Sequence, residues 1–329
     1  MAKKRVLSGI RVSGRLHLGN YLGAIKGMVE LQNDDDHETF YMVADMHALT
    51  TPYRIDDLRE NRTQVVLDYL AAGIDPHKSV IFHQSDTLSG EFSFYLSSVV
   101  TVARMSHLPT YKDKIKQFPE NSTMALLNYP VLMAADILAY KARAVPVGDD
   151  QLPHLEVARE IARKMNDAYG LDFPEPEQFK TVGHYVPSLT GEGKMSKSVE
   201  GSYINLSDSL DEIKSKLAKV PTDSGQGSDI PQSGGVASLF TFVELFEGED
   251  KLRFYQDLYK SSGVKYSDLK LDLANAIYDT LKPLQERRAE FEANSDQVRE
   301  IILEGGARAK SICRQTLNQV REAMGLFTT

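Results

Sequence analysis

Residues 17–20 read HLGN, and their types and spacing suit phosphate chemistry. Gly19 stands at the predicted start of a helix, where a residue without a side chain lets a flat base or a phosphate approach the backbone. The free amides of a helix start also favour anionic oxygens. His17 can donate a hydrogen bond to a phosphoryl oxygen whose charge grows in a transition state. A capped helix with a chance histidine fits these letters equally well.

A second motif, KMSKS, occupies residues 194–198 within a Gly-, Ser- and Lys-rich stretch that spans residues 183–201. Lys194 and Lys197, with hydroxyl groups between them, can form a mobile cationic clamp for a leaving polyphosphate. Such a loop stabilises the transition state when it closes only during the reaction. The stretch is not a Walker loop, because Ser188 stands where that motif needs its first glycine. The alternative is a solvated surface loop.

The third candidate for chemistry is a carboxylate on an apolar run. Asp136 follows Met133 by three residues, so both side chains lie on the same side of a predicted helix. Burying a carboxylate there is unfavourable unless it finds a hydrogen-bond donor. From the residues alone, a capping or ion-paired aspartate is the favoured reading.

The elements that must position these residues begin with an alternation of strands and helices. Strand patterns at residues 4–10, 39–44 and 79–83 are separated by helical patterns at 18–32 and 56–72. This order with short connections predicts an α/β fold with a Rossmann-type, doubly wound parallel sheet.

The sequence beyond residue 89 predicts mostly helices. Residues 89–128 are helical with interruptions at Pro109 and Pro119, and Pro130 is placed in the first turn of a helix over 129–140. A strand is predicted at 145–147, followed by a helix at 154–165. Later helices are predicted at 208–219 (with Ser207 or Asp208 near its cap), 237–247, 250–261, 267–293 and 295–324, with a linker at 222–235.

These patterns predict two domains. Residues 1–206 form the Rossmann catalytic domain, with a helical insertion at about 89–145. Residues 207–329 form a C-terminal all-α domain.

The composition excludes several classes of protein. The chain has 329 residues, of which 42% are hydrophobic and 26% are charged, so a folded core is expected and disorder is not. One cysteine excludes a disulfide framework, a zinc site built on cysteines and an iron–sulfur cluster. A net charge of −8 argues against non-specific nucleic-acid coating. Because no apolar run approaches about 20 residues, we expect a soluble cytoplasmic protein without a membrane partner.

The two phosphate motifs, in this order on this fold, resemble the HIGH and KMSKS motifs of class I aminoacyl-tRNA synthetases. Other segments resemble the bacterial tryptophanyl branch of that family over almost the whole length. These segments are VADMHALT at 43–50, GIDP at 73–76, MAADIL at 133–138, VPVGDDQ at 145–151 and AMGL at 323–326. The departures are Val12, where the family commonly has proline, and Val199 with Glu200 after KMSKS.

The resemblance implies activation of L-tryptophan by ATP, followed by transfer to the tryptophan tRNA. His17, Lys194, Lys197 and Lys112 are the implied catalytic residues, and an exposed basic turn is an equally good reading of Lys112. The implied ATP site consists of Arg11, Val12, Ser13, Gly19, Asn20, Gly148, Asp149, Asp150, Val186, Lys194, Met195, Ser196, Lys197 and Ser198. Mg²⁺ is expected to be held mainly through ATP, with no metal site in the protein itself.

The same resemblance implies that the indole N–H of tryptophan is the donor that Asp136 needs. A pocket built to accept that hydrogen bond rejects analogues that lack the donor. The implied tryptophan site consists of Asp136, Met133, Tyr129, Leu7, His47, Val145, Val147 and Gln151.

The implied partners are the tryptophan tRNA and a second copy of the chain, because relatives are homodimers. The C-terminal helical domain is expected to read the anticodon. Its cationic face would contain Arg287, Arg288, Arg308, Lys310, Arg314 and Arg321.

Three other functions remain open at this stage. A tyrosyl-tRNA synthetase shares the architecture, and only its amino-acid substrate would differ. A small nucleotidyltransferase with a related histidine motif is disfavoured, because that class lacks the long helical C-terminal half. A catalytically silent RNA-binding paralogue is disfavoured by the presence of His17, Lys194, Lys197 and Asp136 together.

Overall fold

A computed structural model describes residues 3–12, 14–180, 185–197 and 199–326. By packing, the chain divides into two compact units. Unit 1 comprises Met1–Gly14, Met28–Thr181 and Phe291–Thr329, and unit 2 comprises Arg15–Gly27 and Val182–Glu290. This division follows packing and does not test the domains predicted at residues 1–206 and 207–329, which stay a prediction.

Unit 1 contains a parallel five-stranded sheet, which confirms the predicted Rossmann-type fold. The strands have the order β3-β2-β1-β4-β5 and all neighbours are parallel. Their bounds are Lys4–Arg11 (β1), His37–Ala44 (β2), Ser79–His83 (β3), Ala144–Val145 (β4) and Glu177–Gln178 (β5). The order reverses at β1, which has β2 on one side and β4 on the other. In such sheets the crevice at the carboxyl ends next to the reversal is the usual ligand site.

Strands β2 and β3 are almost completely buried, as their apolar sequences require. In β2, six consecutive residues from Thr39 to Ala44 are buried, and all five residues of β3 are buried. Both faces of a parallel sheet are normally covered by helices, which explains such continuous burial.

The helices between the first strands lie where the hydrophobic periodicity predicts them. Helix α1 (Leu18–Asn20) passes through a π-helical segment (Tyr21–Ile25) into α2 (Lys26–Gln32), and α3 spans Ile55–Ala71. The predicted helices at 18–32 and 56–72 are therefore confirmed.

Five further helices of unit 1 surround the sheet. They are α4 (Ser89–Ser97), α5 (Val102–Ser106), α6 (Pro109–Gln117), α7 (Met124–Ala139) and α8 (Leu152–Tyr169). The prediction that Pro130 lies in the first turn of its helix is wrong, because α7 begins six residues earlier. The Thr123 side chain accepts a hydrogen bond from the Leu126 amide and caps that earlier start. Pro130 lies inside the helix.

Unit 2 is mostly helical. Its helices after the KMSKS stretch are α9 (Leu210–Ala218), α10 (Gly234–Glu247), α11 (Glu249–Lys260) and most of α12 (Tyr266–Ala293). The cap of α9 lies next to the predicted position near Ser207 or Asp208, one residue further along the chain. Ser209 is the cap, and it forms a capping box with Glu212, which lies three residues further on.

The predicted linker at 222–235 is irregular up to the start of α10, but side-chain hydrogen bonds anchor it. Asp223 accepts hydrogen bonds of 2.7 Å from the hydroxyl groups of Tyr259 and Tyr266 and from the Gly225 amide. The segment therefore folds back onto the helices that follow it.

The last helix, α13 (Ser295–Ala323), belongs to unit 1 and packs on β3 and α7. The Thr316 hydroxyl donates a 2.7 Å hydrogen bond to the Ala139 carbonyl, and Arg321 forms an ion pair with Glu91. Arg308 lies 3.1 Å from Glu38. Two arginines of the expected cationic face thus pair with carboxylates, while the RNA-binding role of that face stays a prediction. Among the described helices, none is long and apolar enough to cross a membrane.

Candidate active site

The HLGN segment of unit 2 is fixed by backbone pairing with a later part of the chain. The Leu18 amide donates to the Ile204 carbonyl at 2.9 Å, and the Leu206 amide donates to the Leu16 carbonyl at 3.1 Å. His17 and Asn205 form an antiparallel bridge between these two bonds. The start of α1 therefore lies beside the segment that follows KMSKS.

The KMSKS stretch folds against its own preceding residues. The Met195 amide donates to the Val186 carbonyl at 2.9 Å, and the Ser188 amide donates to the Gly193 carbonyl at 2.9 Å. Val186 and Met195 are buried, so the loop is anchored by apolar packing as well.

Gly19 is the point at which the two motifs meet. A Cβ at this position would lie 3.0 Å from two atoms of the His17 ring and 3.3 Å from the Met195 Cβ. No larger residue fits without movement of these neighbours. The structure thus brings together the two motifs that are about 175 residues apart in the sequence, as their chemistry requires.

His17 is neutral in this environment. Burial, together with the positive charges of Lys197 and Lys194, lowers the pKa of His17 to about 4. A neutral imidazole keeps one N–H donor, and its Nδ1 is buried without a partner in the described part of the chain. The Asn20 side chain accepts a 3.1 Å hydrogen bond from the His17 amide and fixes the backbone there.

Asp208 and Gln285 support the segment that pairs with HLGN. Asp208 accepts a 2.8 Å hydrogen bond from the Asn205 amide and forms an ion pair with Lys216. The Gln285 side chain donates to the Leu206 carbonyl at 2.8 Å. The sequence suggested Asp208 only as a candidate helix cap and gave no signal for Gln285, because nothing in their spacing relates them to the motifs.

Asp136, in unit 1, is completely buried and has two side-chain donors. His47 Nε2 lies 2.9 Å from Oδ2, and the Gln84 amide nitrogen lies 2.8 Å from Oδ2 and 3.0 Å from Oδ1. The predicted neighbourhood of Asp136 and His47 is present in the structure. Gln84 was not predicted, since it follows a strand without any recognisable motif.

The predicted apolar residues of the tryptophan site belong to one core cluster of unit 1. Leu7 and Val145 are buried in this cluster, and Met133 and Val147 pack against it with partial exposure. They come from β1, β4, α7 and the turn after β4, so the fold assembles them from distant parts of the chain.

Tyr129 belongs to a compact group of three polar side chains. Its hydroxyl group lies 3.0 Å from Thr110 Oγ1 and 2.5 Å from His154 Nε2, and the latter two atoms are 2.9 Å apart. Burial raises the pKa of Tyr129 and lowers the pKa of His154, so both side chains are neutral at neutral pH. Thr110 and His154 were missed from the sequence, where a buried histidine has no distinctive signal.

Arg11 and Lys114 are two partly buried cations of unit 1 whose charges interact. Burial lowers the pKa of Arg11, whose Nε is buried without a partner among the described residues. Burial and the charge of Arg11 lower the pKa of Lys114. Lys112, the residue predicted from the sequence, is exposed on the same helix. Lys112 and Lys114 are two positions apart and therefore face different directions on α6.

The turn after β4 holds the predicted Gly148, Asp149, Asp150 and Gln151. A Cβ at Gly148 would lie 2.6 Å from Asp150 Oδ1, so a larger residue at this position would displace that carboxylate group. Gln178 donates to the Val147 carbonyl at 3.0 Å and to Asp149 at 2.8 Å, and Gln151 donates to Asp150 at 2.6 Å.

Four further residues belong to the predicted ATP site. Val12 is buried after β1, and the Ser196 carbonyl accepts a hydrogen bond from the Ser202 hydroxyl. Ser13 and Ser198 lie outside the described residues. Within the described ranges, no group of three or more His, Cys, Asp or Glu side chains is arranged to hold a metal ion.

Comparison with known proteins relates this chain to one family. The family model described as "tRNA synthetases class I (W and Y)" matches residues 2–282. A tryptophan–tRNA ligase of Porphyromonas gingivalis is 38% identical over 327 residues, which cover 97% of this chain and 98% of the relative. A tryptophan–tRNA ligase of Fusobacterium nucleatum is 39% identical over 330 residues, and 98% of each chain is covered.

Solved structures show the same relationship. A tryptophanyl-tRNA synthetase from Campylobacter jejuni, in complex with ADP and tryptophan, is 33% identical with a TM-score of 0.85. The similarity covers 98% of this chain and 100% of that chain. A tyrosyl-tRNA synthetase from Archaeoglobus fulgidus has a TM-score of 0.67 but is only 21% identical, so it shares the fold alone.

Proposed function

The chain belongs to the class I tRNA synthetases of the tryptophan and tyrosine type, and we propose that it is a tryptophan–tRNA ligase. The observation that carries this proposal is the completely buried Asp136 carboxylate beside an apolar cluster. A carboxylate in such a place needs hydrogen-bond donors, and an indole ring offers an N–H on a large apolar surface.

The proposed reaction has two steps. In the first, a carboxylate oxygen of tryptophan attacks the α-phosphorus of ATP, and the bond to the bridging oxygen breaks to release pyrophosphate. In the second, a ribose hydroxyl group at the end of the tRNA attacks the carbonyl carbon of the adenylate and releases AMP. The first step needs no nucleophile from the protein, so positioning and charge stabilisation supply the catalysis.

The catalytic roles in unit 2 fall to the two motifs. Neutral His17 donates its N–H to a phosphoryl oxygen, and Lys194 and Lys197 neutralise the charge of the departing pyrophosphate. The positive charges of Lys194 and Lys197 lower the pKa of His17, which supports a role of all three residues in the same reaction. Gly19 and Asn20 leave room for ATP at the helix start.

The roles proposed in unit 1 concern tryptophan and the phosphates. Asp136 accepts the indole hydrogen bond, and Leu7, Met133, Val145 and Val147 contact the ring. Tyr129 and Gln151 bind the amino-acid end. Arg11 and Lys114 contact phosphate or carboxylate oxygens, because a buried guanidinium nitrogen without a partner favours an anion. Lys112 stays a candidate for the same task.

ATP is the proposed second substrate, with Mg²⁺ bound mainly through its phosphates. Mg²⁺ usually keeps several waters and is commonly bound through one or two carboxylates plus substrate phosphates. Asp149 and Asp150 are the carboxylates of the proposed ATP site. Neither zinc nor an iron–sulfur cluster is proposed, since the sequence has one cysteine.

We further propose a homodimer, formed through an apolar groove of unit 1. The groove has a volume of about 430 Å³ and lies between α4, α5 and α7, where Val100, Met105 and Val131 contribute to its lining. At its edge Phe94, Val102 and Met124 are each more than two-thirds exposed. Contiguous apolar exposure of this kind marks a protein interface, and a second copy would cover it.

The dimer is tested by the variant Phe94→Lys, with Phe254→Lys in unit 2 as the matched control. Phe254 is an aromatic residue that is about half exposed, and it is not among the residues that line the groove. Sedimentation velocity should give a dimer for the wild type and for Phe254→Lys, and a monomer for Phe94→Lys. A dimer in all three proteins would contradict the proposed interface.

The proposed tRNA contact uses the C-terminal helices, and the proposed location is the cytoplasm. Charging assays with transcripts of tryptophan tRNA and tyrosine tRNA test the function. We expect ATP-dependent transfer of tryptophan to the former only. Transfer of tyrosine, or formation of the adenylate without any transfer, would contradict the proposal.

A further inference from the structure

The geometry points to Gln84 as a positioning residue that makes the enzyme specific for tryptophan. We infer that its side-chain amide orients the Asp136 carboxylate so that one oxygen, Oδ1, is left to accept the indole N–H. This inference rests on the proposed function and deepens it, because it names the group that makes Asp136 selective.

The orientation of the Gln84 amide is fixed by its backbone partners. Its Oε1 accepts hydrogen bonds from the Met46 amide at 3.1 Å and from the His47 amide at 3.3 Å. Backbone N–H groups can only donate, so the oxygen must face them and the NH₂ group must face the other way. Gln84 therefore presents a donor, never an acceptor, to Asp136.

The hydrogen bonds of Asp136 are unequal at its two oxygens. Oδ2 accepts from Gln84 at 2.8 Å and lies 2.9 Å from His47 Nε2, whereas Oδ1 accepts a 3.0 Å hydrogen bond from Gln84 and from no other described residue. Each carboxylate oxygen can accept about two hydrogen bonds. In the described part of the chain, the free acceptor capacity therefore lies on Oδ1.

The backbone around Gln84 is held as firmly as its side chain. Gln84 begins the turn directly after β3, and the next residue, Ser85, donates to Asp45 through its amide at 2.9 Å and its hydroxyl group at 2.6 Å. Gln84 thus connects the carboxyl ends of β2 and β3 to α7, the helix of Asp136. A rigid amide at this junction can define the direction of the carboxylate.

The orientation of the Asp136 carboxylate matters because selectivity for tryptophan requires an acceptor position that has no donor other than the ligand. A site that accepts a hydrogen bond in the apolar interior leaves that acceptor unpaired when the ligand lacks the donor. Without Gln84, the carboxylate could rotate toward His47, and the penalty for a ligand without an N–H would fall.

The first test is the variant Gln84→Met, which preserves the length of the side chain but removes the amide. Amino-acid-dependent pyrophosphate exchange gives KM and kcat for tryptophan and for its benzothiophene analogue, in which sulfur replaces the indole N–H. A hydrogen bond to a charged group corresponds to about 10- to 100-fold. We therefore expect the KM of Gln84→Met for tryptophan to rise by about 10- to 100-fold, while the KM for ATP stays within about threefold. The preference of this variant for tryptophan over the benzothiophene analogue should be smaller than that of the wild type.

The matched control is Gln32→Met, also in unit 1. Gln32 is a buried glutamine whose amide donates to the Gly73 carbonyl at 2.7 Å and accepts from the Asp75 amide at 2.9 Å. Its loss affects packing in a comparable way but at a different place. The KM for tryptophan should not change in Gln32→Met, even if thermal stability falls.

The second test, Gln84→Glu, preserves the shape and makes the donor depend on protonation. Only a protonated glutamic acid can donate to Asp136, so the KM for tryptophan relative to the wild type should rise with increasing pH. The titratable groups around Asp136 are His47, Tyr140 on the end of α7 and Cys313 on α13. They are identical in both proteins, so the ratio of the two KM values isolates the new carboxyl group.

The outcomes separate the inference from the function on which it rests. An unchanged KM for tryptophan in Gln84→Met would overturn the inference, as would an equal rise in Gln32→Met. A pH-independent KM ratio for Gln84→Glu would also overturn it. Absence of tryptophan-dependent exchange in the wild type would instead overturn the proposed function.

Discussion

Gly305 lies so close to the β3 backbone that a Cβ on it would stand 1.8 Å from the carbonyl oxygen of Ile81. The neighbouring Gly306 has no such restriction, since its nearest atoms belong to the Asp86 side chain at 3.6 Å. Both glycines lie within α13, where glycine is intrinsically unfavourable. Gly305 is thus required for the helix to lie on the strand that leads into Gln84.

This pair gives a stability prediction with an internal control. Gly305→Ala should reduce the free energy of unfolding by about 3 kcal/mol or more, because the methyl group meets immobile backbone. Gly306→Ala should leave it unchanged or raise it by up to about 1 kcal/mol through helix propensity. Urea unfolding of the two variants measures the difference. Equal stabilities would show that α13 does not pack on β3 as described.

The protonation state of His17 can be checked by its titration. Because burial and two lysines lower its pKa to about 4, the imidazole should be neutral from pH 5 upward in the free protein. NMR titration of labelled histidine, assigned with His17→Asn, should show one resonance with a midpoint near 4. A midpoint near 6.5, the ordinary value for histidine, would contradict the described environment.

The same lowered pKa has a consequence for stability. The unfolded chain binds the His17 proton more tightly than the folded chain, so stability is lost as the pH falls from about 6.5 toward 4. The loss amounts to about 3 kcal/mol at most. His17→Asn should be less sensitive to this pH change than the wild type when both are unfolded by urea at pH 7 and pH 4.5.

Two lysines on α6, Lys112 and Lys114, are the candidates there for a phosphate contact, and their variants can be compared. Burial and the charge of Arg11 lower the pKa of Lys114, whereas Lys112 is exposed. We expect Lys114→Ala to lower kcat for pyrophosphate exchange by about 10- to 100-fold and Lys112→Ala to lower it by less than threefold, roughly as expected for lost charge stabilisation. A larger decrease of kcat in Lys112→Ala than in Lys114→Ala would identify Lys112 as the lysine that contacts phosphate.

Lys197 provides the corresponding test in unit 2. If the KMSKS loop stabilises the departing pyrophosphate, Lys197→Ala should reduce the activation rate by about 100-fold or more. The affinity for tryptophan should change much less. The chain contains no tryptophan of its own, so the fluorescence of bound tryptophan reports that affinity directly. An unchanged activation rate in Lys197→Ala would contradict the proposal that this lysine stabilises the departing pyrophosphate.

Much of the fold is predictable from the sequence, because the periodicity of apolar residues is local. The helices at 267–293 and 295–324 and the strand at 79–83 lie within about one residue of their predicted bounds. Pro130 was misplaced because the cap at Thr123 competes with it as a helix start. Ser209 was missed as a cap for a similar reason, since Ser207 and Asp208 are equally suitable residue types.

The candidate site was predictable where a motif existed and not elsewhere. His17, Lys194 and Lys197 are recognisable because phosphate chemistry needs these residue types at these spacings. Gln84, Thr110 and His154 form hydrogen bonds with side chains of distant segments, and a single sequence contains no signal of such contacts. The choice between Lys112 and Lys114 depends on which face of α6 is buried, and this is a property of the tertiary structure.

Asp136 carries the amino-acid specificity in this account. In Asp136→Ala the KM for ATP should remain within about threefold, while the preference for tryptophan over phenylalanine should fall by about 100-fold or more, because only the indole meets the carboxylate. An unchanged preference would show that the ring is selected by shape alone. The removed carboxylate would also leave His47 and Gln84 without their acceptor, so a small loss of stability is expected.

The most direct test of the central claim is pyrophosphate exchange measured separately with each of the twenty amino acids. We expect ATP-dependent exchange with tryptophan. The kcat/KM values for tyrosine and phenylalanine should be at least about 1,000-fold lower than the value for tryptophan, because the oriented Asp136 carboxylate requires an indole N–H. Exchange supported by tyrosine in preference to tryptophan, or by no amino acid, would contradict the central claim.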